Sequence, residues 1–169
     1  MAILYDKERV FALLDEAGAV YHVQTHGAVH TLAEVDSAGV QREGIVLKNL
    51  FLKDGKGRQH FLVCVPETKR IDLKQLGEQL ETKKLGLASS ERLEKFLGVT
   101  QGAVSPFNSL NDAEKAVKVV FDRDMPDDTV VGVHPNDTSA SIWMKHGDII
   151  HLLKQHGSEI VFIDLTGAQ

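Results

Sequence analysis

Ile45-Val46-Leu47-Lys48-Asn49-Leu50-Phe51-Leu52 is an apolar run of strand length with a lysine and an asparagine at its centre. Burying an ammonium without a partner costs several kcal/mol, so Lys48 calls for an anionic partner, a catalytic task or a route to solvent. At a sheet edge the same lysine would simply reach water and guard the edge against aggregation. Neighbouring strand residues face opposite sides, so Lys48 and Asn49 can line one site only where the strand bulges or bends.

Downstream, Asp54-Gly55-Lys56-Gly57 separates the run, extended to Lys53, from a second apolar stretch, Gln59–Val65, and the two read as a hairpin. Upstream, Val10, Leu13, Leu14 and Ala17 recur at helical spacing over Asp6–Ala17, with Gly18 as a stop. Val20–Gln24 reads as a strand, and Thr31-Leu32-Ala33-Glu34 is a capping-box pattern that opens a short helix. Further on, the pattern predicts a helix over Asp72–Glu81, a short strand over Leu85–Ala88 and a helix over Ser90–Leu97 closed by Gly98. After an irregular stretch come strands Val117–Asp122, Val130–Val133 and Ser139–Met144, a helix over Asp148–Gln155 ending near Gly157, and a strand over Ile160–Leu165. Strands outnumber helices and hairpin signals recur, which predicts an α+β fold with a mixed, mainly antiparallel sheet. With no Pro- or Ser-rich linker and no repeat, residues 1–169 read as one domain.

Hydrophobic content of 43% and charged content of 25% are those of an ordinary globule. No apolar stretch approaches the roughly 20 residues that span a bilayer, so no membrane role is expected. The N-terminus lacks a secretion pattern, and Cys64, the only cysteine, excludes disulfides and thiolate zinc sites, which points to a reducing cytoplasm. Within an apolar strand, Cys64 reads as a small core residue rather than a nucleophile. A net charge of −5 argues against non-specific coating of nucleic acid, but not against holding one end of it. Lys69, Arg70 and Lys74, then Lys83 and Lys84, then Arg92 and Lys95 form small basic groupings that read as solvated surface.

Two further segments carry chemical potential. Gly102-Ala103-Val104-Ser105-Pro106-Phe107 is a loop of small residues between a helix stop and a strand; it can aim backbone N–H groups at one oxyanion, although plain turn chemistry gives the same composition. His134-Pro135-Asn136 follows a strand, where a fixed imidazole can hydrogen-bond or carry a proton, or can merely sit exposed in a turn. His22, His26 and His30 recur every four residues, but on a strand and loop this spacing does not bring them together, and no metal or other cofactor is expected. Ser105 lacks a nucleophile-elbow setting, and no phosphate-binding glycine loop is present.

Taken together, Lys48-Asn49-Leu50-Phe51-Leu52-Lys53-Asp54, the Gly102-x-x-x-Pro106 loop with Ser105-Pro106-Phe107, and His134-Pro135-Asn136 resemble the YbaK/ProX family of aminoacyl-tRNA deacylases, which also occurs as the editing insertion of bacterial prolyl-tRNA synthetases. The resemblance runs from about Phe11 to Leu165 and takes in Lys69-Arg70-Ile71-Asp72-Leu73 and Asn111-Asp112; its form is most similar to the free-standing alanyl-tRNA(Pro) deacylases. It implies a sheet curled towards a barrel with helices around it. It also implies hydrolysis, in trans, of the ester joining alanine to the 3′ end of proline tRNA. On this resemblance Lys48, Gly102 and His134 are the catalytic candidates, and Asn49, Ala103, Val104, Ser105, Pro106, Phe107 and Asn136 the substrate-binding ones. Lys48 would hold a phosphate or ribose oxygen of the terminal adenosine, Asn49 polar groups of the substrate, and the Gly102–Pro106 loop the ester carbonyl. His134 would orient substrate or water, with the substrate's 2′-hydroxyl as base. The acidic net charge implies modest tRNA affinity, with prolyl-tRNA synthetase or an elongation factor as candidate helpers. Competing readings are a deacylase for cysteinyl- or seryl-tRNA, a non-catalytic module binding aminoacyl-tRNA or an amino acid, and a plain interaction domain. Asn108-Ser109-Leu110 carries no recognisable motif.

Overall fold

A computed structural model of the chain describes residues 5–25 and 43–165; the capping box at Thr31 and the histidines at 26 and 30 lie outside the described residues. The helices are α1 (Lys7–Glu16), α2 (Leu73–Gln79), α3 (Ser90–Leu97) and α4 (His146–Gln155), and the strands are β1 (Tyr21–Thr25), β2 (Ile45–Lys53), β3 (His60–Pro66), β4 (Gly86–Leu87), β5 (Val117–Asp122), β6 (Val130–Val133), β7 (Ala140–Lys145) and β8 (Glu159–Ile163). The strands form one sheet in the order β1-β7-β6-β2-β3-β5-β8, with β4 added to β2. Four pairings are antiparallel, and three, β2–β6, β3–β5 and β5–β8, are parallel. The sheet is not closed: β1 and β8 stand at opposite ends of the order.

Local chemistry sets the element ends. Asp6 accepts a hydrogen bond from the Arg9 N–H at the start of α1, Asp72 from Lys74 and Gln75 at α2, and Ser89 from Arg92 at α3, each satisfying donors that a helix N-terminus leaves open. Gly98 closes α3 in the left-handed region, φ 68°. The hairpin is as expected: Asp54 Oδ1 accepts from the Arg58 and Gln59 amides. Helix α4 begins two residues earlier than the spacing suggests, and the stretch at 101–111 expected to be irregular is two 3-10 helices, Gln101–Ala103 and Pro106–Asn111.

The larger core lies on one face of the sheet, where Leu47 and Phe51 of β2, Leu62 and Cys64 of β3 and Phe121 of β5 meet Leu93 and Leu97 of α3, Phe107 of the second 3-10 helix and Ile149 of α4. A smaller core on the other face joins Leu52, Val63, Val65 and Val120 to Leu76 of α2 and to Ile163 and Leu165. Burying each such side chain contributes about 1.5–3 kcal/mol. Cys64 is fully buried and burial pushes its thiol well above the usual range, so it is core. Among the described residues no helix is long and apolar enough to cross a membrane.

Candidate functional site

Strand β2 is where the sheet splits. It pairs with β3 from Leu47 to Lys53, but with β6 only at Ile45 and Val46 and with β4 only at Leu52 and Lys53. One edge of β2 therefore runs without a strand partner between those two contacts, among the described residues. Pairing of β2 with β6 ends at Val46↔Gly132, two residues short of Lys48 on one chain segment and of His134 on the other.

The β2–β3 ladder is continuous, with Lys48 opposite Val65 and Asn49 opposite Cys64, so no bulge intervenes. Alternation then groups Lys48 with Leu50 and Leu52 on the smaller-core face and Asn49 with Leu47 and Phe51 on the larger-core face. The two residues share the split in the sheet but look to opposite sides of it. Lys48 is half-buried and makes no ion pair or hydrogen bond to a described residue. The Asn49 Oδ1 is buried and has no hydrogen-bond partner.

The Lys48 face continues across β6 and β7. Val46 is opposite Gly132, and Gly132 is opposite Trp143; directly paired residues share a face, so Trp143 lies on Lys48's side of the sheet. Its ring packs flat on Gly132: a Cβ there would stand 2.6 Å from Cζ3 and 2.7 Å from Cη2. Trp143 is 4% exposed, and its indole Nε1 is a buried donor with no partner. A buried donor left unpaired costs about 1–3 kcal/mol, and such groups occur where a ligand or water supplies the missing partner.

On the other face, the Gly102–Phe107 loop and the His134-Pro135-Asn136 turn are tied together. Asn136, held at φ 61°, donates from Nδ2 to the carbonyls of Tyr5 (2.8 Å) and Phe107 (3.3 Å). Its Oδ1 accepts from Asn108 Nδ2 (2.7 Å), which also reaches the Ala103 carbonyl (3.1 Å). Asn108 Oδ1 accepts the Ser105 N–H at 2.8 Å, and Ser105 Oγ accepts the Phe107 N–H at 3.3 Å, a capping box that starts the second 3-10 helix with Pro106 in its first turn. Ser105 is thus a cap with no nucleophilic setting. The loop does not present a row of open amides. The N–H groups of Ala103, Val104, Ser105, Phe107 and Asn108 all bond internally, whereas that of Gly102 bonds to no described residue. The His134 ring lies with its Nδ1 2.8 Å from the Ala140 carbonyl; a carbonyl only accepts, so Nδ1 carries the proton and Nε2 is the other ring position.

Other residues singled out above have structural roles. Lys69 donates to the buried Asp122 carboxylate at 2.5 Å, Asp72 caps α2, and Asn111 accepts the Tyr5 N–H and donates to the Leu97 carbonyl. His22 pairs with Glu43, and among the described residues no cluster of metal-ligating side chains is present. The sequence reading missed Trp143, Gly132 and Asn108. Strand alternation over Ser139–Met144 could have put Trp143 opposite the apolar residues Ile142 and Met144, which makes a tryptophan on the polar-facing side a visible anomaly.

Residues 26–152 match the family model described as aminoacyl-tRNA editing domain. The chain is similar to the prolyl-tRNA editing protein ProX of Acetoanaerobium sticklandii, with 41% identity over 159 residues, 94% of this chain and 97% of that protein. It is also similar to the multifunctional Ser/Thr-tRNA deacylase ProXp-y of Escherichia coli, 32% identical over 103 residues, 60% of this chain and 62% of that one. In fold it matches a candidate trans-editing enzyme for prolyl tRNA synthetase, with a TM-score of 0.69 at 21% identity over 94% of this chain and 95% of the other. The chain belongs to the aminoacyl-tRNA editing domain family, and by class it is a hydrolytic aminoacyl-tRNA deacylase.

Proposed function

We propose that the protein removes alanine from mischarged alanyl-tRNA(Pro), acting in trans on tRNA released by prolyl-tRNA synthetase in the cytoplasm. The observation that carries this reading is Lys48, a half-buried cation without a partner among the described residues, at the split in the sheet of a chain 41% identical to a prolyl-tRNA editing protein. A phosphate or ribose oxygen of the terminal adenosine supplies a partner for Lys48. The buried Asn49 Oδ1 accepts from the substrate's ammonium or a hydroxyl. The open Gly102 N–H is the donor for the carbonyl oxygen as water adds and the ester carbon becomes tetrahedral; the ribose 3′-oxygen then leaves. His134, with Nδ1 anchored on Ala140, orients water or the 2′-hydroxyl, which takes the proton from the attacking water as it passes its own to the departing 3′-oxygen. The need for such an enzyme is physical: a pocket made for proline rejects a smaller side chain by only about 1–3 kcal/mol. A second site that admits alanine and excludes proline by size removes the error.

One observation favours a second reading. The unpaired Trp143 Nε1–H lies on the Lys48 face; with the aminoacyl group entering from that side it would donate to a side-chain hydroxyl, which fits seryl-tRNA better than alanyl-tRNA. A deacylation panel decides between them: alanyl-, seryl- and cysteinyl-tRNA(Pro) against prolyl-tRNA(Pro), with wild type and Lys48→Ala side by side. Alanyl-tRNA(Pro) is expected to be the fastest substrate and prolyl-tRNA the slowest. Lys48→Ala is expected to lose on the order of 100-fold or more in rate while melting like wild type. Near-normal turnover by Lys48→Ala would remove the central assignment. Fastest turnover of seryl-tRNA would establish the second reading, and tight binding without release of amino acid would identify a non-catalytic module.

A further inference from the structure

The end of the molecule around the β2–β3 hairpin collects positive charge that the sequence scatters over more than forty positions. Lys56, Arg58, Lys83 and Lys84 line one cleft, and all four are exposed. Beside it, Lys53, Arg92 and Lys95 surround His60 closely enough to depress its basicity, second to the effect of burial. These seven belong to a chain with 19 Lys and Arg against 24 Asp and Glu, so the local sign opposes the overall one. Two carboxylates, Asp54 and Glu81, line the same cleft as the four cations and offset part of their charge, and Glu78 stands beside Lys83 and Lys84. Asp54 is buried and engaged by the Arg58 and Gln59 amides, so the four exposed cations still outnumber the acids on the cleft.

The gathering is built into the backbone. The Gly55 N–H donates to the Lys83 carbonyl at 3.0 Å, and a Cβ on Gly55 would lie 2.8 Å from the Lys84 Cβ. Arg92 Nη1 donates to the Gly57 carbonyl at 3.1 Å and to His60 Nε2 at 2.9 Å, and a Cβ on Gly57 would lie 2.8 Å from Arg92 Nη2. Lys84 itself is held at φ 56°, a region in which side chains other than glycine are strained. Glycines at the tip thus let the 81–84 turn and α3 close onto the hairpin and bring like charges together. Such an arrangement is unfavourable in isolation and favourable against a polyanion.

Taking the function proposed above as its basis, we infer that this basic end docks the phosphodiester backbone of the tRNA acceptor stem while Lys48 holds the terminal adenosine. The distances agree. At ~3.3 Å per strand residue, Lys53 lies about 17 Å from Lys48 along β2. A tRNA 3′ end carries roughly four unpaired nucleotides, about 14 Å when stacked at 3.4 Å each. A terminal adenosine at Lys48 therefore delivers the first base pairs to the hairpin.

The test is the combined variant Lys56→Ala/Arg58→Ala/Lys83→Ala/Lys84→Ala, none of which has a part in the chemistry. Three quantities are measured: hydrolysis of full-length alanyl-tRNA(Pro), hydrolysis of alanine esterified to a CCA trinucleotide, and equilibrium binding of uncharged tRNA(Pro) across a salt series. The expected results are a rise of at least about tenfold in KM for the tRNA, no change for the trinucleotide, and a salt slope shallower by roughly 3. An unchanged KM and salt slope would overturn the inference, as would an equal loss on both substrates. If wild type hydrolyses neither substrate, the deacylase reading fails, while the binding series still decides whether this surface holds RNA.

Discussion

Asn108 is completely buried, and both ends of its amide are in use: Oδ1 accepts the Ser105 N–H, and Nδ2 donates to the Ala103 carbonyl and to Asn136 Oδ1. Replacing it by alanine strands three buried polar groups at once, each worth about 1–3 kcal/mol when unpaired. Asn108→Ala is expected to lower stability by about 3 kcal/mol or more in urea titration. Because the same bonds fix the Gly102 loop against the His134 turn, kcat for deacylation should fall even well below the melting temperature. A variant with a normal melt and normal turnover would show that the network is dispensable. The role of this residue could not be read from its neighbours. Ser105-Pro106 announces a loop and a helical start, but nothing near Asn108 reveals a partner at Asn136, and an amide that bridges distant segments leaves no periodic trace. Lys48 was legible because its chemistry conflicts with its local surroundings; the alternation around Trp143 could have marked its position, but its unmet N–H emerges only from the fold.

Strands β2, β6 and β7 meet at Gly132. A methyl group there would press on three carbons of the Trp143 ring at 2.6–2.9 Å, closer than side chains tolerate, so the ring or the strand must shift. Gly132→Ala is expected to cost about 1–3 kcal/mol in a urea titration, the usual effect of overpacking. On the proposed function it should reduce kcat/KM for alanyl-tRNA(Pro) by more than stability loss explains, because the displaced ring lies on the same face of the sheet as Lys48. Wild-type kinetics in this variant would remove Trp143 from the proposed site. Individual strands and helices were largely legible: the Asp54-Gly55-Lys56-Gly57 turn fixes the hairpin, and Asp72, Ser89 and Gly98 mark helix ends that the structure keeps. The pairing of strands was less so. The parallel neighbours β2–β6, β3–β5 and β5–β8 are joined through intervening helices, and sequence pattern carries no information about which distant strand lies alongside. The split in β2, at which the proposed site is placed, is a property of that pairing.

For the molecule as a whole, two buried imidazoles couple stability to pH. Burial lowers the basicity of His60, and the adjacent Arg92 guanidinium lowers it further; burial does the same for His146, against the opposing pull of Asp127 and Asp122. Both rings therefore hold a proton less readily when folded than in the unfolded chain, where each titrates near the ordinary value of about 6.5. Between that value and the depressed folded one, the unfolded state binds more protons, so stability falls as pH falls. The loss is expected to start near pH 6.5 and to reach at most about 1.4 kcal/mol per pH unit for each ring. Chemical denaturation at pH 7.5, 6.5 and 5.5 measures it, and His146→Leu, which also removes two unpaired ring nitrogens, should flatten the curve. A curve of unchanged slope in that variant would clear His146. The gathering of charge at the hairpin end is likewise a property of the whole: Lys56, Lys83 and Lys95 are ordinary surface residues in the sequence, and only the closed turn makes them one field. Trp143 has a practical consequence at this scale. It is the only indole in the chain and lies on the same face of the sheet as Lys48, so its emission is expected to change when the proposed substrate binds, an optical signal that needs no attached dye and can be followed in a stopped-flow cuvette.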